Sequence, residues 1–183
     1  MAILKVAQLG NPVLRSVSSE VSIDMINTSD FQRLVDDMVD TMREYDGVGL
    51  AAPQVHVGLR LFTMEVSSNP RYPNELNYPL TVIVNPTVTI IESELVDGWE
   101  GCLSIPGLRG LVPRIQALRV QGLDRYGKSI DLSLQGFPAR IVQHETDHLN
   151  GNVYLDQMRN LTTLTFQREY ERFHISSSAN GTQ

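Results

Sequence analysis

The sequence predicts an α+β fold, with a block of β-strands in mid-chain and a helix on either side. Three observations predict it. Between Ser29 and Tyr45, apolar residues recur at steps of three and four. From Leu61 to Leu134, runs rich in Val, Ile, Leu and Thr are punctuated by turn residues. Between Pro138 and Gly151 a second helical pattern returns. Repeated strand–helix–strand units would alternate instead, and the sequence holds no internal repeat.

Residues 1–28 read as an extended or loop-rich arm with short apolar pieces. In the first helix Phe31, Leu34, Val35, Met38 and Met42 form one stripe, Ser29 with Gln32 matches a capping box, and Gly47 ends it. Core packing is enough to explain that stripe. Leu61–Val66 is a short strand, and Tyr78–Ile91 a longer one interrupted at Pro86. Ser67–Pro79, with three prolines and three asparagines, is a surface loop. Leu118–Leu123 and Ser129–Leu134 flank Asp124-Arg125-Tyr126-Gly127. Ile130, Leu132 and Leu134 alternate with Asp131 and Ser133, which makes a hairpin with one buried face. Pro138 suits the first turn of the second helix, and Gly151 its end. Leu161–Phe166 leans to an extended segment or short strand rather than a long terminal helix; a helix over Phe166–Phe173 is the competing reading. Ser176–Gln183 is small, polar and frayed.

At 183 residues and 42% apolar, the chain fits one globular domain, 1–183, with a core to about residue 166 and a tail over 167–183. Fifteen basic and 21 acidic residues give a net charge of −6, which argues against a sequence-tolerant nucleic-acid binder. One cysteine excludes an intrachain disulfide and suits a reducing compartment. No run approaches the length of a spanning helix, and the charged start does not read as a signal peptide. The expectation is a cytoplasmic protein, bacterial or a mature form.

The second helix carries His144-Glu145-Thr146-Asp147-His148, an HExxH pattern. At helical pitch the two histidines lie about 40° apart on one face, one turn apart, so both imidazoles can bind one metal. Glu145 lies in the same arc and can reach a metal-bound water without being a ligand. The third ligand is open. A metzincin would place a histidine where Tyr154 stands, so that pattern fails. A thermolysin-like site would take a downstream glutamate, Glu169 or Glu171, but both sit in a charge-mixed stretch. His56 and His174 lie outside any motif.

Cys102, in Glu100-Gly101-Cys102-Leu103-Ser104, has three readings: a small buried hydrophobe, a nucleophile paired with histidine, or the metal ligand the two histidines lack. The glycine before it lets backbone approach closely, and a turn follows at Ile105-Pro106-Gly107. Gly47-Val48-Gly49-Leu50-Ala51-Ala52-Pro53-Gln54 is either a helix stop with tight packing or a flat stretch along which substrate backbone runs, with Gln54 offering an amide donor. It lacks the lysine and spacing of a phosphate loop.

Together GVGLAAPQ, EGCLS and QHETDH, in this order, resemble the three signature motifs of the peptide deformylases. The likeness extends to Gly10-Asn11-Pro12-Val13-Leu14-Arg15, Asn85-Pro86, Val112-Pro113-Arg114 and the hairpin, over roughly residues 5–160. It implies antiparallel β-sheets packed around a central HExxH metal-binding helix, with a second, N-terminal helix. It implies removal of the formyl group from N-formylmethionine on nascent chains. Cys102, His144 and His148 would hold the metal, and Glu145 would be the general base and then acid for the metal-bound water. Gln54 and the N–H of Leu103 would hold the formyl oxygen, and Gly49 would pair with substrate backbone. Val48, Glu100, Arg140 and Ile141 match positions bordering the methionine pocket, Arg140 through its aliphatic stem. Ligand softness alone points to zinc. The resemblance implies ferrous iron natively, with nickel, cobalt or zinc in preparations. Implied partners are N-formylmethionyl peptides and the ribosome near its exit tunnel, with no membrane and no sequence-specific nucleic acid; monomer and dimer stay open. The competing activity is an HExxH zinc endopeptidase.

Overall fold

The computed structural model describes residues 2–67, 71 and 75–175. A four-residue helix α1, Ile23–Ile26, precedes helix α2, Ser29–Glu44. The Thr28 hydroxyl accepts the N–H of Phe31 at 3.2 Å, so the cap lies one residue before Ser29. Gln32 does not close a capping box: its amide donates to the carbonyls of Ile26 and Arg125 at 2.9 and 2.7 Å. Asp46 adopts φ 51°, and the N–H of Gly47 reaches back to the Met42 carbonyl at 2.8 Å, ending the helix where the glycine was expected to.

Five strands follow: β1 Gly49–Ala51, β2 Leu61–Val66, β3 Tyr78–Cys102, β4 Ile105–Leu123 and β5 Ser129–Gln135. They pair antiparallel in that order. Helix α3, Phe137–Leu149, comes next. Alternation along the strands sorts the core onto two faces. Leu61, Val82 and Val84 pack with Phe31, Val35, Met38 and Met42 of α2. Phe62, Met64, Ile83, Leu118, Val120 and Leu134 pack with Ala139, Ile141, Val142 and Leu149 of α3. The sheet is thus covered by a helix on each face where β2 and β3 meet, which is why β2 reads as an unbroken apolar run.

The two central strands are longer than predicted. β3 runs on from Ile91 to Cys102, and β4 begins at Ile105, well before Leu118. Pro86 does not interrupt β3, because the register skips between Val84 and Thr87 and no ladder N–H is needed there. Asn85, at φ 51°, exchanges two side-chain hydrogen bonds of 2.9 Å with the backbone of Val21. Cys102 pairs with Ile105, so the turn is Leu103–Ser104 and not Ile105–Gly107. In the β4–β5 turn, Asp124 Oδ1 accepts the N–H groups of Tyr126 and Lys128.

Among its described residues the arm forms no regular strand, only one 3₁₀ turn, α1 and a bridge from Ser19 to Leu59. It is nonetheless tied down, with Ala7 N–H on the Gln54 carbonyl at 2.7 Å and Leu9 N–H on the Ser104 carbonyl at 2.9 Å. A short helix α4, Tyr154–Gln157, follows α3. Both readings of the tail hold in part. Thr165–Phe166 is a two-residue strand, β6, paired with β4, and the chain then turns helical as α5, Gln167–Tyr170, and a π-type turn over Glu171–Ile175. Ser176–Gln183 lies outside the described residues.

Candidate metal centre

Helix α3 starts after Gly136 at φ 67°, with Pro138 in its first turn. Ile141, Val142 and Leu149 anchor it on the sheet, and His144, Glu145 and His148 are buried with it. Their neighbour is the Leu103–Ser104 turn, which brings Cys102 within 3.2 Å of His148 Nε2. One donor atom from each of Cys102, His144 and His148 lies within 4.8 Å of the others. His144 Nδ1 is engaged by Glu100 at 2.9 Å, which leaves its Nε2 for the cluster. Tyr154 stacks on the His144 ring at 6.2 Å and 17°, so the position a metzincin would give to a third histidine holds an aromatic wall. Glu169 and Glu171 are exposed in the tail and do not join the cluster.

Behind the cluster is a buried charge network. Glu100 takes two bonds from Arg114, at 2.8 and 3.0 Å, and one from Arg140 at 2.9 Å. Arg114 also reaches Asp147 at 2.6 Å. Burial alone would raise the Glu100 carboxyl; His144 and Arg114 outweigh it and hold the group well below the usual carboxylate range. Burial likewise raises the Cys102 thiol, but the adjacent imidazoles bring it well below its ordinary value, while Cys102 and Glu100 raise His144 against its own burial. The centre therefore favours a thiolate. A thiolate and two imidazoles converging in a buried pocket fit a divalent ion.

Glu145 differs from Glu100. Its Oε2 is buried with no hydrogen-bond partner among the described residues, and burial pushes its carboxyl up to about 7. It faces Gly49, where an added Cβ would lie 2.3 Å from Glu145 Oε1. Gly49 opens β1, the edge strand. Because Val48 accepts the Glu65 N–H, the backbone groups of Gly49 turn away from β2 along the free edge. Gln54 is held by the Ala51 N–H on its Oε1 at 2.9 Å, and its Nε2 points to Cys102 Sγ and Ser104 Oγ, 3.3 Å from each. The groove beside the cluster is lined by Val48, Gly49, Trp99, Leu103, Phe137 and Ile141.

Glu100 and Arg140 border this groove, but their charged heads are engaged elsewhere. The Arg140 guanidinium bonds the carbonyls of Val96, Gly98 and Val112, so only its stem is left to the groove. Sequence reasoning assigned no role to Arg114, Gln143 or Trp99. Gln143 brackets Ile115, bonding its N–H and its carbonyl at 2.9 Å each and docking α3 on β4. These contacts cross strands whose register shifts at bulges, and spacing carries no sign of them.

A Cys-His-His cluster that could hold a metal ion, a buried carboxyl beside it and an open strand edge make an arrangement suited to a metal-dependent hydrolase. The sequence matches the polypeptide deformylase family over residues 3–163. Peptide deformylase 2 of a Nostoc species is 45% identical over 170 residues, 92% of this chain and 93% of that protein. Peptide deformylase 1 of Nitrosomonas europaea is 48% identical over 149 residues, 81% and 84% of the two. The class I type b peptide deformylase of Acinetobacter baumannii, solved with Met-Ala-Ser bound, matches at a TM-score of 0.83 and 41% identity, over 86% of this chain and 99% of that one. The chain belongs to the peptide deformylase family and is an enzyme of that kind.

Proposed function

We propose that the chain removes the formyl group from N-formylmethionine at the start of nascent polypeptides, and that Cys102, His144 and His148 hold its metal. The observation that carries this reading is the convergence of those three donors beside Glu145, at the end of a free strand edge. The reaction consumes one water and gives formate and a free amine. A divalent ion, when bound, supplies Lewis acidity to the formyl carbonyl and acidifies the attacking water. Ferrous iron is the native ion in this reading; nickel, cobalt or zinc suit the same donors.

Glu145 takes the proton of the attacking water and passes it to the leaving nitrogen. Gln54 Nε2 and the N–H of Leu103 receive the formyl oxygen as it gains charge, with Ala51 fixing which end of the Gln54 amide faces it. Substrate backbone adds as a strand along Val48 and Gly49. Its methionine side chain lies against Val48, Ile141 and the Arg140 stem, while Glu100 keeps the His144 ring in place. A cytoplasmic site of action follows from that substrate.

The test is anaerobic incubation with formyl-Met-Ala-Ser, measuring formate and metal content on one sample, with nickel reconstitution as a second arm. Formate release at one metal per chain is expected; no formate with iron or nickel fully loaded would overturn the reading. Gln54→Ala is expected to cost about 10²-fold in kcat with metal content unchanged.

A further inference from the structure

The family match ends at residue 163, yet the tail beyond it reaches back to the groove. β6 pairs Thr165 and Phe166 with Arg109 and Leu108, and the helical residues 167–175 follow at once. They set Tyr170 and His174 four residues apart on one face, with the two rings stacked at 6.1 Å and 20°. Both rings meet Trp99, the only tryptophan: Tyr170 at 5.0 Å and 55°, His174 at 4.7 Å and 44°. Tilted rings at these separations attract through their quadrupoles as well as through the area they bury. Arg109 seats the tail beneath them. It is almost fully buried, donates to Gln167 at 2.7 Å and lies 5.5 Å from the Tyr170 ring centroid. It also packs on Gly101, where an added Cβ would meet it at 3.1–3.2 Å.

Trp99 has a second role in the same place, because it lines the groove beside the cluster. Two chain segments line that groove, 47–49 at the free edge of β1 and 99–103 at the end of β3. Glu100 turns its side chain toward α3, where it meets His144. Strand alternation therefore turns Trp99 to the other side of the ribbon, out of reach of α3. An indole left alone there would move among rotamers, and a wall that moves binds weakly, since the ligand must first order it. The rings that fix it belong to the tail. Neither Tyr170 nor His174 is among the described residues that line the groove.

We propose that Tyr170 and His174 are positioning residues: they hold the Trp99 ring in the groove wall, and through it they set the affinity for a formylmethionyl peptide without touching the reacting atoms. This rests on the deformylase reading. Glu145 and Gln54 stand on other elements, so the loss of the brace weakens binding of substrate and transition state alike and leaves the chemical step intact.

The test uses the metal-loaded full chain, with metal content and Tm measured for every variant. Replacing both rings, Tyr170→Ala with His174→Ala, is expected to raise KM for formyl-Met-Ala-Ser about fivefold, with kcat held within about twofold. Tyr170→Phe with His174→Phe keeps two rings against the indole and should restore the parental KM. Trp99→Ala should raise KM by a similar factor, and the two alanine changes added to it should raise KM no further, because they act through the indole. A tail that only stabilised the fold would lower Tm without this dependence on Trp99. Trp99 emission reads the brace without turnover: it should move to the red and become more open to acrylamide in the double alanine variant. Calorimetric titration with Met-Ala-Ser should show the same fivefold weakening. A KM and a Met-Ala-Ser affinity within about twofold of the parent in the double alanine variant would overturn the inference, and so would an equal further rise in KM on the Trp99→Ala background. If the parent releases no formate, the activity reading fails, and the Met-Ala-Ser affinities alone decide the brace. A parent that binds no Met-Ala-Ser either would overturn both.

Discussion

Glu145→Gln is expected to lower kcat/KM for formyl-Met-Ala-Ser by about 10³-fold or more while one metal per chain is retained. The substitution keeps the shape and removes the proton carrier. No second carboxylate can take over: Glu100 is committed to Arg114, Arg140 and His144, and Asp147 to Arg114. Gly49 leaves room for the Glu145 side chain at the strand edge. The group must be ionised to accept a proton, so activity falls as pH drops through its pKa. Burial, the largest of several influences, brings that up to about 7, and a bound cation lowers it. The acid limb of the loaded enzyme should therefore fall below pH 7 and vanish in Glu145→Gln. A variant with metal bound and parental rate would remove Glu145 from the chemistry.

Arg114→Met should destabilise the apo chain by about 3 kcal/mol, because it removes the two-bond partner of the buried Glu100 and leaves only Arg140 and His144 to offset its charge. In a chain of this size that lowers Tm by roughly 10 °C. Both partners are nearly closed to water, with side-chain exposures of 6% and 4%, so solvent screening offers little relief. Metal affinity should fall about 10–100-fold, since Glu100, the partner of His144, loses the residue that anchors it. The double variant Arg114→Met with Glu100→Gln should recover part of the stability, because the buried charge is gone. Parental melting of Arg114→Met, read by circular dichroism, would show that Arg140 alone suffices.

His144 and His148 were legible because their chemistry is spelled in side-chain types at helical spacing, two histidines four apart on one face; Cys102 had three readings, and only the family resemblance chose among them. Spacing likewise made the α2 stripe and the β4–β5 hairpin legible. What failed to show was what the ribbon of β3 and β4 does. Glu92, Glu94 and Asp97 are exposed along it and break any alternation, so the strand seemed to stop at Ile91. The Thr28 cap was missed because Ser29 offers the same hydroxyl one residue on. Arg114 was visible as a residue but not as a partner: its contact with Glu100 depends on strand register, which bulges reset. The tail divided between two readings because β6 borrows its pairing from β4, a neighbour more than fifty residues away.

The bonds from Ala7 to Gln54 and from Leu9 to Ser104 have a consequence for the order of assembly. They anchor the arm to the two turns that flank the centre, one of them 95 residues further along the chain. The Ser104 turn is in place only once the β3–β4 ribbon has closed, and closing a loop that spans the 95 residues from Leu9 is entropically slow. Residues synthesised early are therefore among the late ones to dock. Hydrogen exchange pulsed during refolding should find the Ala7 and Leu9 amides protected after those of β2 and α2, with metal uptake keeping pace with the arm.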